Sequence, residues 1–229
     1  MNEWKRTDEA ARLRTLADEM ADCLAAENDG MGGEFLAYME LIGLPAPRRI
    51  LRNLLIATAP AQASDEVEDT EIDLLLIHTS GIYVLEIKDY GGWIFGSSKD
   101  KYWTQSVLND RGEAVKYQRY NPLRQNYCHT QALRQALALP FGDVPLHSIA
   151  AFHDRCEFKK LQLKPTDIVV HLRDLPETIA RIAKAHEHSL SSSDVDALYG
   201  FLRPLASPTP RRREEHLKAV EEKKTGASA

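Results

Sequence analysis

The stretch "TEIDLLLIHTSGIYVLEIKDYGG", Thr70 to Gly92, holds two apolar runs around a Ser80-Gly81 turn. Both runs are apolar enough to be buried on two faces, as central strands are. Yet Asp73 opens the first, and Glu86 and Lys88 sit inside the second. In a strand, alternate side chains share a face. Glu86 and Lys88 are therefore expected to project together with Ile82 and Val84, facing a cleft, while Leu85 and Ile87 enter a core. The register decides where Asp73 points. A two-residue loop at Ser80-Gly81 pairs Asp73 with Lys88 and places it on the Glu86 face. A three-residue loop sends it to the other side unless a bulge restores the parity.

If the three side chains converge, their chemistry is restricted. Two neighbouring carboxylates repel unless a cation lies between them. Hard oxygen donors with open water positions suit Mg²⁺ or Mn²⁺. Such an ion polarises a phosphate oxygen and acidifies a bound water, and a lysine beside it steadies developing negative charge. Phosphodiester hydrolysis is the reaction this equipment serves best. The plain alternative is Glu and Lys solvating an edge strand. The apolar runs argue against it, because unpaired charge inside them costs on the order of several kcal/mol.

Outward from the hairpin, the pattern alternates helices and strands. "TDEAARLRTLADEMADCLAAEN" (7–28) is an amphipathic helix, with Leu13, Leu16, Met20 and Leu24 in one stripe. A second helix starts after Gly32-Gly33, and "RRILRNLLIATA" is a strand. An exposed acidic loop runs from Pro60 to Thr70, and "GWIFG" and "KYWTQ" are short strands. "NPLRQNYCHTQALRQALAL" is a long helix with Asn121 as cap and Pro122 in its first turn. "LHSIAAFH" and "TDIVVHL" are strands, followed by two helices, the last capped by Ser192 or Ser193. From Ser207 on, the chain has almost no apolar residues and reads as a charged tail, disordered or helical only in part. The expected class is α/β or α+β, a mixed sheet covered by helices.

Composition narrows the function classes. The 229 residues carry a net charge of −5, against nonspecific coating of nucleic acid but not against a local grip. No apolar run approaches the roughly 18 residues a membrane span needs, and a cytoplasmic location is the expectation. Cys23, Cys128 and Cys156 form no CxxC pair, and their spacing with the histidines does not suit zinc. Neither a phosphate-binding GxxxxGK[ST] loop nor a GxSxG elbow occurs. Aromatic and basic residues interleave from Trp93 to Arg124, a pattern that can stack bases and follow phosphates. Lys116, Arg119 and Arg124 are the expected nucleic-acid contacts.

The succession of Glu34 after Gly33, "EIDLLLI", "GIYVLEIKDYGG", Trp103 and "NPLRQ" resembles the nuclease-related domain (NERD) family of the PD-(D/E)xK, restriction-endonuclease-like superfamily. The resemblance runs from about Gly32 to about Leu202. It implies a restriction-endonuclease-like core over 31–204, with an N-terminal helix (1–30) and a charged flexible tail (205–229) outside it. It implies Asp73 and Glu86 as metal-binding carboxylates for Mg²⁺ or Mn²⁺, with the Ile87 carbonyl as a further ligand and Lys88 as the catalytic lysine. Glu34 matches the family's upstream acid and Gln125 the polar residue on the following helix. Asp89 departs from the pattern by adding negative charge near the site. His129 lies on the same helix near Gln125 but is not among the residues the site needs. The implied activity is DNA hydrolysis, most simply by an endonuclease. The alternative is a catalytically silent nucleic-acid-binding or protein-interaction module of a larger DNA-processing or defence system. Implied partners are DNA, and a second copy of the chain or a helicase or defence-system protein, with no membrane.

Overall fold

The computed structural model describes residues 31–226 apart from 46, 59–68 and 188. The helix expected over 7–28 lies outside the described residues, as does most of the acidic loop. The described strands are β1 (Arg48–Ala57), β2 (Asp69–His78), β3 (Gly81–Lys88), β4 (Gly92–Ser97), β5 (Tyr102–Leu108), β6 (Ala114–Tyr120), β7 (Leu146–Phe152), β8 (Cys156–Gln162) and β9 (Val169–His171). The helices are α1 (Met31–Ile42), α2 (Pro122–Phe141), α3 (Leu175–Ala185), α4 (Ser192–Leu202) and α5 (Pro210–Gly226). The fold is α+β.

Five strands form a mixed sheet in the order β1-β2-β3-β7-β9, antiparallel through β3 and parallel beyond it. One face carries Leu75, Ile77, Ile82 and Val84 against α2 and α4. The other carries Leu74, Leu76, Tyr83, Leu85 and Ile87 against α1 and α3. Covering on both faces explains why β2 and β3 read as continuous apolar runs. A second sheet, β6-β5-β4-β8, packs one face on the edge of the first through Trp103 and Phe152. Sequence reading found only β4 and part of β5 of this sheet. β6 and β8 were not legible as strands because most of their residues are polar and exposed.

The hairpin closes one residue earlier than expected. Its turn is Thr79-Ser80, with His78 opposite Gly81 and Leu74 opposite Leu85. Gly81 belongs to the strand: its φ is +127°, and a Cβ there would lie 2.6 Å from the Pro145 carbonyl oxygen. That carbonyl accepts the Ile82 N–H at 2.8 Å. The slip is two residues in pairing, so parity is kept and Asp73 comes opposite Glu86 rather than Lys88. The β1–β2 ladder skips one pair at this level, where Asn53 sits at φ 52° opposite Asp73. Asn tolerates this left-handed conformation better than most residues. The alternation shifts there, since Leu51 and Leu54 enter the same core cluster, as do Ile72 and Leu75.

Helix ends follow local chemistry. Asn121 Oδ1 accepts the Leu123 N–H at 2.9 Å, and Pro122 takes the first turn of α2. The cap of α4 is Ser191, not Ser192 or Ser193, because Asp194 completes a capping box with it. Among the described residues no helix is long and apolar enough to cross a membrane.

Residues 210–226 form a continuous helix where a tail at most partly helical is expected. Arg212 makes a two-pronged contact with Asp69 at 2.6 and 2.7 Å and donates to the Leu55 carbonyl. Arg213 reaches Glu71 at 3.3 Å. The sequence lacks apolar residues here because charge pairing, not burial, attaches the helix. The Arg212 hydrogen bond holds the Asp69 carboxyl below its ordinary 3.8. The contribution of the pair is therefore present above that value and lost as pH falls through the lowered pKa. Arg212→Ala is expected to cost about 1 kcal/mol at neutral pH and to lose that effect in acid, as urea melts at both pH values would read.

Candidate active site

Glu86 is fully buried and Lys88 mostly so, on the face of β3 that α2 covers. The open cleft expected beside Glu86 is thus absent at that residue, because α2 lies directly over it. The helix is aimed by its cap: Asn121 Nδ2 donates to the Ser97 and Asp100 carbonyls at 3.1 and 2.7 Å, tying α2 to the β4–β5 turn. Gln125 and His129, four residues apart, then fall on one helix face. Lys88 Nζ donates to Gln125 Oε1 at 3.2 Å and to Glu86 Oε1. His129 Nε2 lies 3.0 Å from Glu86 Oε2, and its Nδ1 lies 2.7 Å from Thr70 Oγ1. Since the carboxylate can only accept, Nε2 carries a proton toward Glu86, while Nδ1 shares a hydrogen bond with the Thr70 hydroxyl.

Asn126, between these two helix residues, donates from Nδ2 to the Val84 and Ile149 carbonyls at 2.9 and 3.0 Å. Among the described residues its buried Oδ1 has no hydrogen-bond partner. Sequence reasoning missed the parts played by His129, Thr70 and Asn126. The four-residue spacing of Gln125 and His129 was the available signal.

Asp73 Oδ2 accepts the Ile87 N–H at 2.7 Å, just past the last β2–β3 pair. Burial, then the charge of Glu86, pushes its carboxyl well above the ordinary range, with Lys88 and the Ile87 N–H opposing and Glu34 adding. Burial also pushes Glu86 up, but Lys88 and His129 together outweigh it and hold Glu86 below its ordinary value. Burial works against the Lys88 ammonium, while Glu86, Tyr90 and Asp73 more than compensate and raise it. Lys88 is accordingly a cation and a donor, not a base.

Glu34 stands in the first turn of α1. Close approach of that helix to β3 depends on Gly33, where a Cβ would lie 2.9 Å from Asp89 Cβ. Burial raises the Glu34 carboxyl; Arg52 opposes, and Glu71 and Glu86 add to the rise. Asp89, expected to burden the site with negative charge, is paired with Arg155 at 2.5 Å.

The structure thus brings Asp73, Glu86, Lys88 and Gln125 together, with Glu34 within their electrostatic reach. The donor chemistry fits a hard divalent cation: carboxyl oxygens on Asp73 and Glu34 beside Glu86. Among the described residues no three His, Cys, Asp or Glu side chains are gathered as a ready ligand cluster. Both Glu86 oxygens are engaged, one by Lys88 and the other by His129.

The three expected nucleic-acid contacts do not share one surface. Lys116 projects from the outer face of β6, paired across from Ser106. Arg119 turns inward, donates to Gln105 Oε1 on β5 (2.9 Å) and lies 5.2 Å from the Tyr90 ring. Arg124 is exposed at the start of α2. Strand alternation sends Lys116 and Arg119 to opposite faces of the sheet.

The profile of the nuclease-related domain matches residues 29–153, from the start of α1 through β7. The chain belongs to the nuclease-related domain family. The match contains Glu34, Asp73, Glu86, Lys88, Gln125 and His129, and leaves α3, α4 and α5 outside it. The restriction-endonuclease-like assignment is consistent with this membership. An uncharacterized protein of Bacillus anthracis is 30% identical over 172 residues, which are 74% of this chain and 73% of that protein. No solved structure gives a significant match.

Proposed function

We propose that this NERD protein hydrolyses phosphodiester bonds of DNA, with Asp73, Glu86 and Lys88 at the centre of the site. The observation that carries the reading is the juxtaposition of a buried carboxylate, Glu86, and a half-buried one, Asp73, with a lysine, Asp73 being disfavoured as an anion by the charge of Glu86. Asp73 and Glu86, helped by Glu34 and the Ile87 carbonyl, would hold Mg²⁺ or Mn²⁺, which polarises a phosphate oxygen and acidifies water when bound. Lys88 commits two of its three protons to Glu86 and Gln125 and turns the third to a phosphate oxygen or the attacking water. Gln125 fixes that ammonium. His129 holds Glu86 ionised and in one orientation. As the water oxygen bonds to phosphorus and an ester P–O bond breaks, the extra charge on the phosphoryl oxygens is met by Lys88.

Supercoiled plasmid incubated with Mg²⁺ or Mn²⁺ is expected to be nicked, with nicking lost in chelator and in Glu86→Ala. Equal traces of cutting in all samples would defeat the enzymatic reading. One observation favours a second reading, a silent binding module: both Glu86 oxygens are already occupied by protein groups. That module would bind DNA equally with and without divalent ions and cut none.

A further inference from the structure

The second sheet sorts the interleaved aromatic and basic residues into two faces. Inward, Ile94, Trp103 and Cys156 join Ala150 and Phe152 in a core cluster, with the Trp103 and Phe152 rings stacked at 6.0 Å. Outward, Trp93, Tyr102 and Tyr120 stay 45%, 43% and 42% exposed. The register lays this outer face out in rows. Lys116, Ser106, Trp93 and Glu157 form one row across the four strands. Gln118, Thr104, Phe95 and Lys160 form the next, and Tyr120 and Tyr102 begin a third. Successive rows are about 6.6 Å apart, two residues of strand rise.

A bulge supplies charge to the same face. The β4–β8 register shifts between Ile94 and Phe95. Phe158 and Leu161, three residues apart, both pack inward, so Lys159 and Lys160 both turn outward. Lys159 Nζ sits 5.2 Å from the Trp93 ring centre and Lys101 Nζ 5.3 Å from that of Tyr102. Lys116 and Lys160 share this face by register, and Lys159 is paired there with Glu157, so four lysines gather on one face of a chain whose net charge is −5. The local sign is the reverse of the global one.

We infer that this outer face is a platform for single-stranded DNA, bases stacking on Trp93, Phe95 and Tyr102 while the lysines meet phosphates. Flat sheet faces with exposed rings offer a surface that any unpaired base can cover. A duplex keeps its base faces stacked inside and gains nothing from the rings. The inference rests on the proposed reading that DNA is the substrate, and adds that an unpaired strand is what the protein holds.

The test is fluorescence anisotropy with a fluorescein-labelled oligo-dT strand and a duplex of equal length, in chelator so that nothing is cut. Wild type is expected to prefer oligo-dT. Trp93→Ala with Tyr102→Ala is expected to weaken oligo-dT binding about tenfold or more and to leave duplex binding and the melting midpoint unchanged. Lys159→Ala with Lys160→Ala is expected to flatten the salt dependence. Oligo-dT is expected to quench the tryptophan emission of wild type but not of Trp93→Phe. Unchanged oligo-dT affinity in the ring variant overturns the inference, as does no binding by wild type. So does a ring variant that alters only the oligomeric state in light scattering, which would assign the face to a second copy. Plasmid nicking separates the two readings. Nicking with ring-independent binding defeats this inference alone, and ring-dependent binding without nicking defeats the catalytic one alone.

Discussion

Lys88→Ala is expected to lower plasmid nicking about a thousandfold and to destabilise the protein by about 3 kcal/mol at the same time. Both effects come from one arrangement. Lys88 is the cation that faces Glu86 Oε1 in a site without solvent access to the carboxylate. Removing it leaves a buried charge served only by His129, and a buried ion pair costs far more to break than to replace whole. Glu86→Gln combined with Lys88→Met is therefore expected to recover most of the stability and none of the cutting. A double-mutant cycle in urea, read beside nicking rates, measures this coupling. A Lys88→Ala protein with wild-type stability would mean that the pair is not desolvated. One with wild-type nicking would remove Lys88 from the chemistry.

Asp73→Asn is expected to abolish nicking to a similar extent, about a thousandfold, yet to stabilise the metal-free protein by about 1 kcal/mol above neutral pH. The sign follows from linkage. Asp73 has its folded pKa raised above the ordinary 3.8, so the unfolded chain releases this proton first. Wild-type stability then falls as pH rises from that value to the raised folded one. Asparagine has no proton to lose and still offers an oxygen to the Ile87 N–H. The gain of the variant is absent in acid and grows with pH. Mn²⁺ is expected to raise the melting temperature of wild type, because a ligand that binds only the folded form stabilises it, and to leave Asp73→Asn unmoved. Thermal melts at two pH values, with and without Mn²⁺, check each part. Destabilisation of the metal-free variant at high pH would show that the Asp73 charge is welcome where it sits, and the case for a cation there would fail.

The sequence went far toward the site because strand alternation is local information. Glu86 and Lys88 share the face of Ile82 and Val84 as their parity requires, and Asn121-Pro122 starts α2 where cap chemistry places it. Turn placement was less legible. Gly81 looked like a turn residue, but its missing side chain makes room for the Pro145 carbonyl, a contact 64 residues away in the chain. β6 and β8 were invisible to hydrophobic patterning because their sheet exposes one face to water. The C-terminal helix was read as a tail because its anchor is a salt bridge rather than an apolar stripe.

What the amino-acid order determined alone was which side chains travel together: Glu86 with Lys88, Gln125 with His129, and an α+β alternation around an apolar hairpin. Only tertiary structure decided that the second pair closes over the first. Periodicity assigns a residue to a face of its own element, but it carries nothing about which element will lie against that face. That choice is made by the Asn121 tie to the β4–β5 turn and by the parallel placement of β7, contacts between segments far apart in the chain. They convert a carboxylate expected at an open cleft into one sealed between a lysine and a histidine.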